Sequence, residues 1–502
     1  MCKLSNRTSL CFIFIVSGIT AATTCCSSNR RSGDNDVSDS GDDAGADAGD
    51  SDTPWDSDTS TDFNVTQPVF LSEFSARMAA SFDGTHVAVS FTDVDITEPY
   101  TSDDLSTAFL VFPWESPEDV ISGSFSENLS GCTGPYTQNM ASSKPHPHPE
   151  GFLLLTAPPG GSGDDCEIVQ TLWDHDANLL EGPTIFTGLF PDNLVTSMDP
   201  HGYVDSEGYV TTGTMNSVGF NEADPTDTEG TIVLDIDRWN AGGFHERLRH
   251  ALFPWPFDPA EVMEQQVRSG FIDQTIYLHD NVYSVLSLQE KVLEGNIKNE
   301  SAAVIARVET GGLVVSEPSL LTDDVPPVPP GFEYTTYDYS SYSFASNGDS
   351  ILELARTMYM DLEGYSTYDP SIADPYPVRL WSRMIDFDGT PLTEWTELAS
   401  FDSHVRYSYV FSEWSGTYFG ACYDEPFETF KLIVMDENGL LVTAPIDLFW
   451  DIPPNENFNQ PCDVVAIDED TFIAILGVKA DPPEAYANGL WATRVDVNIP
   501  IE

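Results

Sequence analysis

From residue 66 onward the chain alternates apolar and polar positions in short runs, each opened by a small or acidic turn residue. Seven such runs are legible: DGTHVAVSF around Gly84, EGFLLLTA around Gly151, EGYVTTG around Gly208, DNVYSVLS around Asn281, NGDSILELA around Gly348, SGTYFGACY around Gly416 and EDTFIAILG around Asp470. Gly, Asn and Asp tolerate the positive φ of a tight hairpin turn, so each run predicts a β-hairpin whose second strand is the apolar stretch. A second apolar strand ending in a turn follows in every case: FLVFPW at Pro113, TLWDHD at Asp174, TIVLDID at Asp235, ARVETGG at Gly311, RMIDFDG at Gly389, LIVMDENG at Gly439 and TRVDVN at Asn498. Each module therefore reads as two hairpins, and the module recurs roughly every 60 residues.

Four antiparallel strands per unit, repeated seven times, resemble a seven-bladed β-propeller, an all-β fold. Six or eight blades, or a pair of β-sandwiches, also fit widely spaced strands of this kind. The Gly-His and Trp-Asp spacing of WD40 blades and the Gly-Gly signature of Kelch blades do not recur from module to module, so neither family is assigned. The resemblance implies that both tight turns of a blade fall on one side. The long connections then share the other side: 93–104, 158–166, 214–230, 322–333, 359–378 and 450–462. Loops carry function on rigid β scaffolds, so a site is expected on the long-loop face.

The N-terminus has another character. Lys3 and Arg7 precede the apolar run Leu10 to Ile19, then small residues, then Cys25-Cys26. That order reads as a secretory signal peptide, too short to span a bilayer core that needs about 20 apolar residues. It resembles a bacterial lipoprotein signal, which implies acylation of Cys25 or, alternatively, Cys26; an ordinary cleavage after Ala22 is the competing expectation. Residues 27–62 hold eleven Asp and almost no large apolar side chain, a composition that cannot offset its ordering entropy and reads as a disordered acidic tether. A Cys, an Asp/Ser/Gly/Ala-rich tether and then a globular domain together resemble the surface lipoproteins of myxobacteria. The expected organisation is 1–24 signal peptide, 25–65 lipid-attachment Cys and tether, and 66–502 propeller. The resemblance implies a chain exported and anchored to the bacterial outer membrane or cell surface, touching the membrane by its lipid alone.

Charge narrows the partners. Twenty Lys and Arg stand against 82 Asp and Glu, a net charge of −62, which repels phosphate backbones and excludes nucleic acid. Outside the N-terminal region only Cys132, Cys166, Cys422 and Cys462 remain, an even set in an exported chain. Pairing Cys132 with Cys166 and Cys422 with Cys462 joins neighbours, whereas the other two connectivities would cross the disc; four reduced thiols are the alternative. All four are expected on the long-loop face.

Chemistry is sparse. His245-Glu246-Arg247-Leu248-Arg249-His250 has one residue too many for a zincin helix. His146 and His148, two apart in KPHPHPEG, read as an exposed Pro-rich loop rather than a chelating pair. Asp386 and Asp436 recur at equivalent turns, so turn chemistry accounts for them better than Ca²⁺ does; Ca²⁺ is the one cofactor left open, and no metal ligand or catalytic residue is assigned. Twelve of the 19 Tyr lie between Tyr334 and Tyr423. Tyr365, Tyr368 and Tyr376, with Trp414, are the candidate binding residues, since amphipathic rings suit sugar rings or protein partners. The expected function is a monomeric surface module that binds a glycan or protein through its long loops, a binding role being favoured over a catalytic one. The alternative is a polysaccharide-active hydrolase or lyase with its site in the axial funnel, where Arg77, His201, Asp273 and Arg406 are candidates to converge.

Overall fold

A computed structural model describes residues 57–59, 63–72, 76–94, 105–125, 144–156, 168–186, 202–218, 231–254, 267–269, 275–293, 298–321, 326–327, 333–335, 342–360, 378–401, 410–425, 429–448, 462–478 and 489–498. These residues fall within one compact unit, 51–502, and form a seven-bladed propeller of antiparallel sheets. In each blade the strands are lettered a, nearest the axis, to d, outermost. Blade 1 is Ala76–Phe82, His86–Val94, Leu105–Pro113 and Ile121–Phe125. Blade 2 is His146–His148, Gly151–Thr156, Ile168–Trp173 and Leu179–Phe186. Blade 3 is Gly202–Val204, Val210–Val218, Thr231–Asn240 and Phe244–Pro254. Blade 4 runs from Thr275–His279 through Val282–Leu293 and Lys298–Glu309 to Val314–Leu320. Blade 5 runs from Tyr342–Ser346 through Ile351–Met360 and Val378–Ile385 to Thr396–Phe401. Blade 6 is Phe411–Trp414, Phe419–Glu425, Thr429–Met435 and Ile446–Asp447.

Blade 7 closes the ring. Its strands a to c are Cys462–Ala466, Thr471–Val478 and Gly489–Val497, but its outermost position is filled by the other end of the chain. Phe63–Thr66 and Val69–Ser72 both pair antiparallel with the last strand, Asn64 facing Asp496 and Phe70 facing Trp491. The chain thus joins the sheet at Phe63, and a further strand, Ser57–Thr59, pairs outside it. The turn expected at Asn498 does not exist as a hairpin, because the partner of Gly489–Val497 comes from more than 400 residues away.

The seven a–b turns lie where the turn residues place them. At blade 4 the turn uses Asp280 (φ 49°) and Asn281 (φ 62°) in place of glycine, two consecutive positive φ angles as a type I′ hairpin requires. At the c–d turns Asp174, Asp386 and Asp436 each accept the backbone N–H groups two and four residues on. That is the turn role expected of Asp386 and Asp436. One turn is displaced. In blade 3 strand c does not end near Asp235 but continues to Asn240, and the turn is Asn240 to Gly243, so Asp235 is a buried mid-strand residue.

Strands b and c bury both faces, which is why FLLL reads as a continuous apolar run rather than an alternation and why even Gln170 and Thr171 of IVQTLW are buried. Successive side chains point to opposite neighbours, and each of the seven seams holds its own apolar cluster. Val87, Val89, Leu110 and Ile473 fill the seam of blades 7 and 1; Phe109, Phe152 and Trp173 fill that of blades 1 and 2. Cys422 and Cys462 are disulfide-bonded with Cα atoms 5.8 Å apart. The bond lies within the apolar seam of blades 6 and 7, both residues fully buried. The long-loop rim expected for Cys422 is not where it sits: strand b continues to Glu425, which leaves Cys422 mid-strand. Among the described residues no helix is long and apolar enough to cross a membrane.

Candidate functional site

Innermost strands of a propeller are not laddered to one another, so their axial N–H and C=O groups need other partners. Side chains from neighbouring blades supply them. Asp463 Oδ2 accepts the N–H of Ala80, 2.7 Å away, tying blade 7 to blade 1, while its Oδ1 accepts the N–H of Val464. Glu413 Oε2 accepts the N–H of Ala466 at 3.0 Å, tying blade 6 to blade 7. Ser412 N–H donates to Ser343 Oγ, joining blades 5 and 6, and Tyr277 Oη–H donates to the carbonyl of Phe344, joining blades 4 and 5. The N–H of Gly202 donates to His146 Nε2 at 3.0 Å, joining blades 2 and 3. Lys144, ahead of blade 2, reaches across the ring to Glu413 with Nζ 3.8 Å from Oε1.

Burial pushes the Asp463 carboxyl up to about 6, against the pull of Lys144 and of the Ala80 N–H, with the nearby Glu413 charge adding to the rise. A carboxyl near 6 beside a second carboxylate is the pattern of a group able to exchange a proton near neutrality. Its oxygens, however, are filled by backbone donors.

Two further polar groups are internal to blades. In blade 3 Asp235 and Asp237 point the same way from strand c. His250 Nδ1 lies 2.7 Å from Asp235 Oδ1, and His245 Nε2 2.8 Å from Asp237 Oδ1. Arg247 Nε donates to Asp237 Oδ1 at 3.0 Å. The HERLRH segment is thus an outer strand neutralising two buried carboxylates, with the His245 ring packed against Trp239 and Phe186. Burial raises the Asp235 pKa, which Arg247 and His250 oppose. In blade 5 Glu353 and Arg383, directly opposite in register, meet at 2.6 Å with both side chains dry.

The residues singled out from sequence fare differently. Cys25, Cys26, Cys132, Cys166, Tyr365, Tyr368, Tyr376, His201, Asp273, Arg406 and the side chain of Arg77 lie outside the described residues. Trp414 ends strand a of blade 6 and packs half-buried against the seam of blades 5 and 6, its ring 4.5 Å from that of Phe419. His146 is not in an exposed loop: it begins strand a of blade 2 and is 2% exposed, because the inner-strand N–H of Gly202 needs an acceptor there. One constellation has no counterpart in the sequence reading. Asp83 and His86, from the a–b turn of blade 1, meet His175, from the c–d turn of blade 2, with one ligating atom of each within 4.8 Å of the others. Both segments read as hairpin turns, and the packing of blade 2 against blade 1 is what brings them together.

No family model matches the chain, and no curated protein matches it. Solved structures of similar fold include a family GH93 α-L-arabinofuranosidase of Fusarium graminearum in complex with arabinobiose, 11% identical over 69% of this chain and 89% of that one, TM-score 0.39. They also include the full extracellular region of plexin A4, 10% identical over 86% of this chain and 47% of that one, TM-score 0.43. A third is the β-propeller domain of the trilobed protease from Pyrococcus furiosus, 9% identical over 86% and 97%, TM-score 0.36. These likenesses concern fold alone.

Proposed function

We propose that this chain is an exported surface lipoprotein, acylated at Cys25 or Cys26, whose propeller is a binding module for a glycan or protein partner and not an enzyme. One observation carries the reading. Among the described residues, the axial groups that a propeller enzyme would turn on its substrate are committed to backbone N–H groups: Asp463 to Ala80 of blade 1 and to its own neighbour Val464, Glu413 to Ala466 of blade 7 and His146 to Gly202 of blade 3. A catalytic carboxylate must reach the proton it moves, and these reach the backbone of the next blade instead. Tyr365, Tyr368 and Tyr376, in the insertion between strands b and c of blade 5, are the proposed contact residues. Their rings offer apolar area with few torsions to freeze.

A second reading, hydrolysis or lysis of polysaccharide at the axis, is favoured by the Asp463 carboxyl near 6 beside Glu413. Applying the purified protein to a glycan array and to a panel of polysaccharides separates the two. Retention of a glycan without new reducing ends or unsaturated products, lost in Tyr365→Ala plus Tyr368→Ala, supports binding. Turnover that disappears in Asp463→Asn, with the fold intact by circular dichroism, establishes the enzyme reading instead.

A further inference from the structure

We propose that Asp83, His86 and His175 form a binding site for a divalent first-row transition-metal ion of the Zn²⁺ class, set at the seam of blades 1 and 2 on the tight-turn face.

Each donor is prepared by its own turn. Asp83 Oδ1 accepts the N–H groups of Thr85 and His86, both at 2.8 Å, which fixes the plane of the carboxylate. Its Oδ2 is left facing His175 Nε2 at 2.6 Å. Burial works to raise the pKa of Asp83, but the N–H groups of His86 and Thr85, with His175, outweigh it and hold the carboxyl below its usual range. It is therefore an anion whose only role toward hydrogen is acceptance.

That settles the tautomer of His86. Thr85 Oγ1 lies 2.9 Å from Asp83 Oδ1 and 2.9 Å from His86 Nδ1. The hydroxyl has one proton, and the carboxylate can only accept it, so Oγ1 in turn accepts from His86 Nδ1–H. Nε2 of His86 then carries the lone pair, which is the outer-shell arrangement that orients a metal-ligating imidazole. Burial and the neighbouring His175 lower the His86 pKa, against the pull of the Asp83 and Asp176 charges.

The His86 and His175 rings stack with centroids 4.4 Å apart and planes 13° from parallel. Phe152 meets the His175 ring edge-on and holds it there. Ligands about 2.0–2.2 Å from Zn²⁺ sit roughly 3–3.5 Å from one another. One ligating atom of each residue already lies within 4.8 Å of the others, so closure asks for side-chain rotation and no movement of the sheets. Binding displaces the proton between His175 Nε2 and Asp83 Oδ2, the ring taking up a proton at Nδ1 by tautomer exchange through solvent, and puts the ion in its place, with water completing the shell. Two imidazoles and one carboxylate select Zn²⁺, Co²⁺ or Ni²⁺ over Ca²⁺ and Mg²⁺, which prefer all-oxygen shells.

The test uses the full protein stripped by chelator and titrated calorimetrically with ZnCl₂ in excess CaCl₂, which occupies the diffuse acidic surface. One saturable site is expected, with a visible Co²⁺ spectrum in place of Zn²⁺. His175→Ala, on an exposed turn, should weaken binding at least about tenfold, and Thr85→Val, which frees the His86 tautomer, by about tenfold. Zn²⁺ should raise the melting temperature of wild type and not of His175→Ala. Absence of a saturable site in wild type, or wild-type affinity in a folded His175→Ala, would overturn the proposal and leave a plain His–Asp hydrogen bond between blades.

Discussion

Two seams of the ring place a carboxylate against a cationic or basic partner, and they do so in opposite surroundings. Facing blade 4 within blade 5, Glu353 and Arg383 have side chains 1% and 3% exposed, with the guanidinium also 4.2 Å above the Trp395 ring. At the seam of blades 1 and 2, Asp83 meets His175, whose side chain is 38% exposed. In the first case burial raises the Glu353 pKa against the pull of Arg383. Water cannot replace a lost partner there. In the second, solvent stands ready to do so, and an ion can exchange for the proton. A dry pair is a clamp; a wet one is an exchangeable site.

The sharpest way to break this contrast is Arg383→Met. It strands the Glu353 carboxyl in an apolar seam and should cost about 3–5 kcal/mol in denaturant unfolding. A loss below about 1 kcal/mol would show that the pair is not dry.

The axis gives an intermediate effect, readable by pH. Asp463 has a folded pKa of about 6 against an ordinary 3.8, so between these values the folded protein binds more protons than the unfolded chain. Its contribution is therefore present below about pH 4 and lost as pH rises through about 6. Relative to Asp463→Asn, wild type should lose about 2–3 kcal/mol between about pH 4 and pH 7.5. Parallel stability curves for the two proteins would refute the shift.

The smallest effect belongs to the wet seam. Without metal, His175→Ala should change stability by less than about 1 kcal/mol, as partly exposed ion pairs do. A larger loss would move this seam into the class of Glu353 and Arg383.

Much of the fold was legible because hairpin turns declare themselves locally. Gly84, Gly151, Gly208, Asn281, Gly348 and Gly416 mark true a–b turns, since positive φ restricts the residue types regardless of what lies around them, and the seventh is marked by Asp468 accepting the N–H of Asp470. Blade 3 misled because Asp235 and Asp237 look like turn residues. They are tolerated mid-strand only through His245, Arg247 and His250 on the adjacent strand. His146 misled for the same reason: its neighbours Pro145 and Pro147 suggest a loop, yet Gly202, far along the chain, supplies the hydrogen bond that buries it.

What the sequence determined by itself was therefore the seven-fold repetition, the tight turns and the apolar runs of the middle strands, all of which depend on dihedral preference and side-chain hydrophobicity within a few residues. Tertiary structure alone decided the closure of blade 7 by Phe63–Thr66, the axial bonds of Asp463 and Glu413, and the meeting of Asp83 and His86 with His175. Each of these joins groups from different blades or from opposite ends of the chain. Such pairings carry no local signature, because the free energy that selects them arises only when the ring brings separate strands within hydrogen-bonding distance.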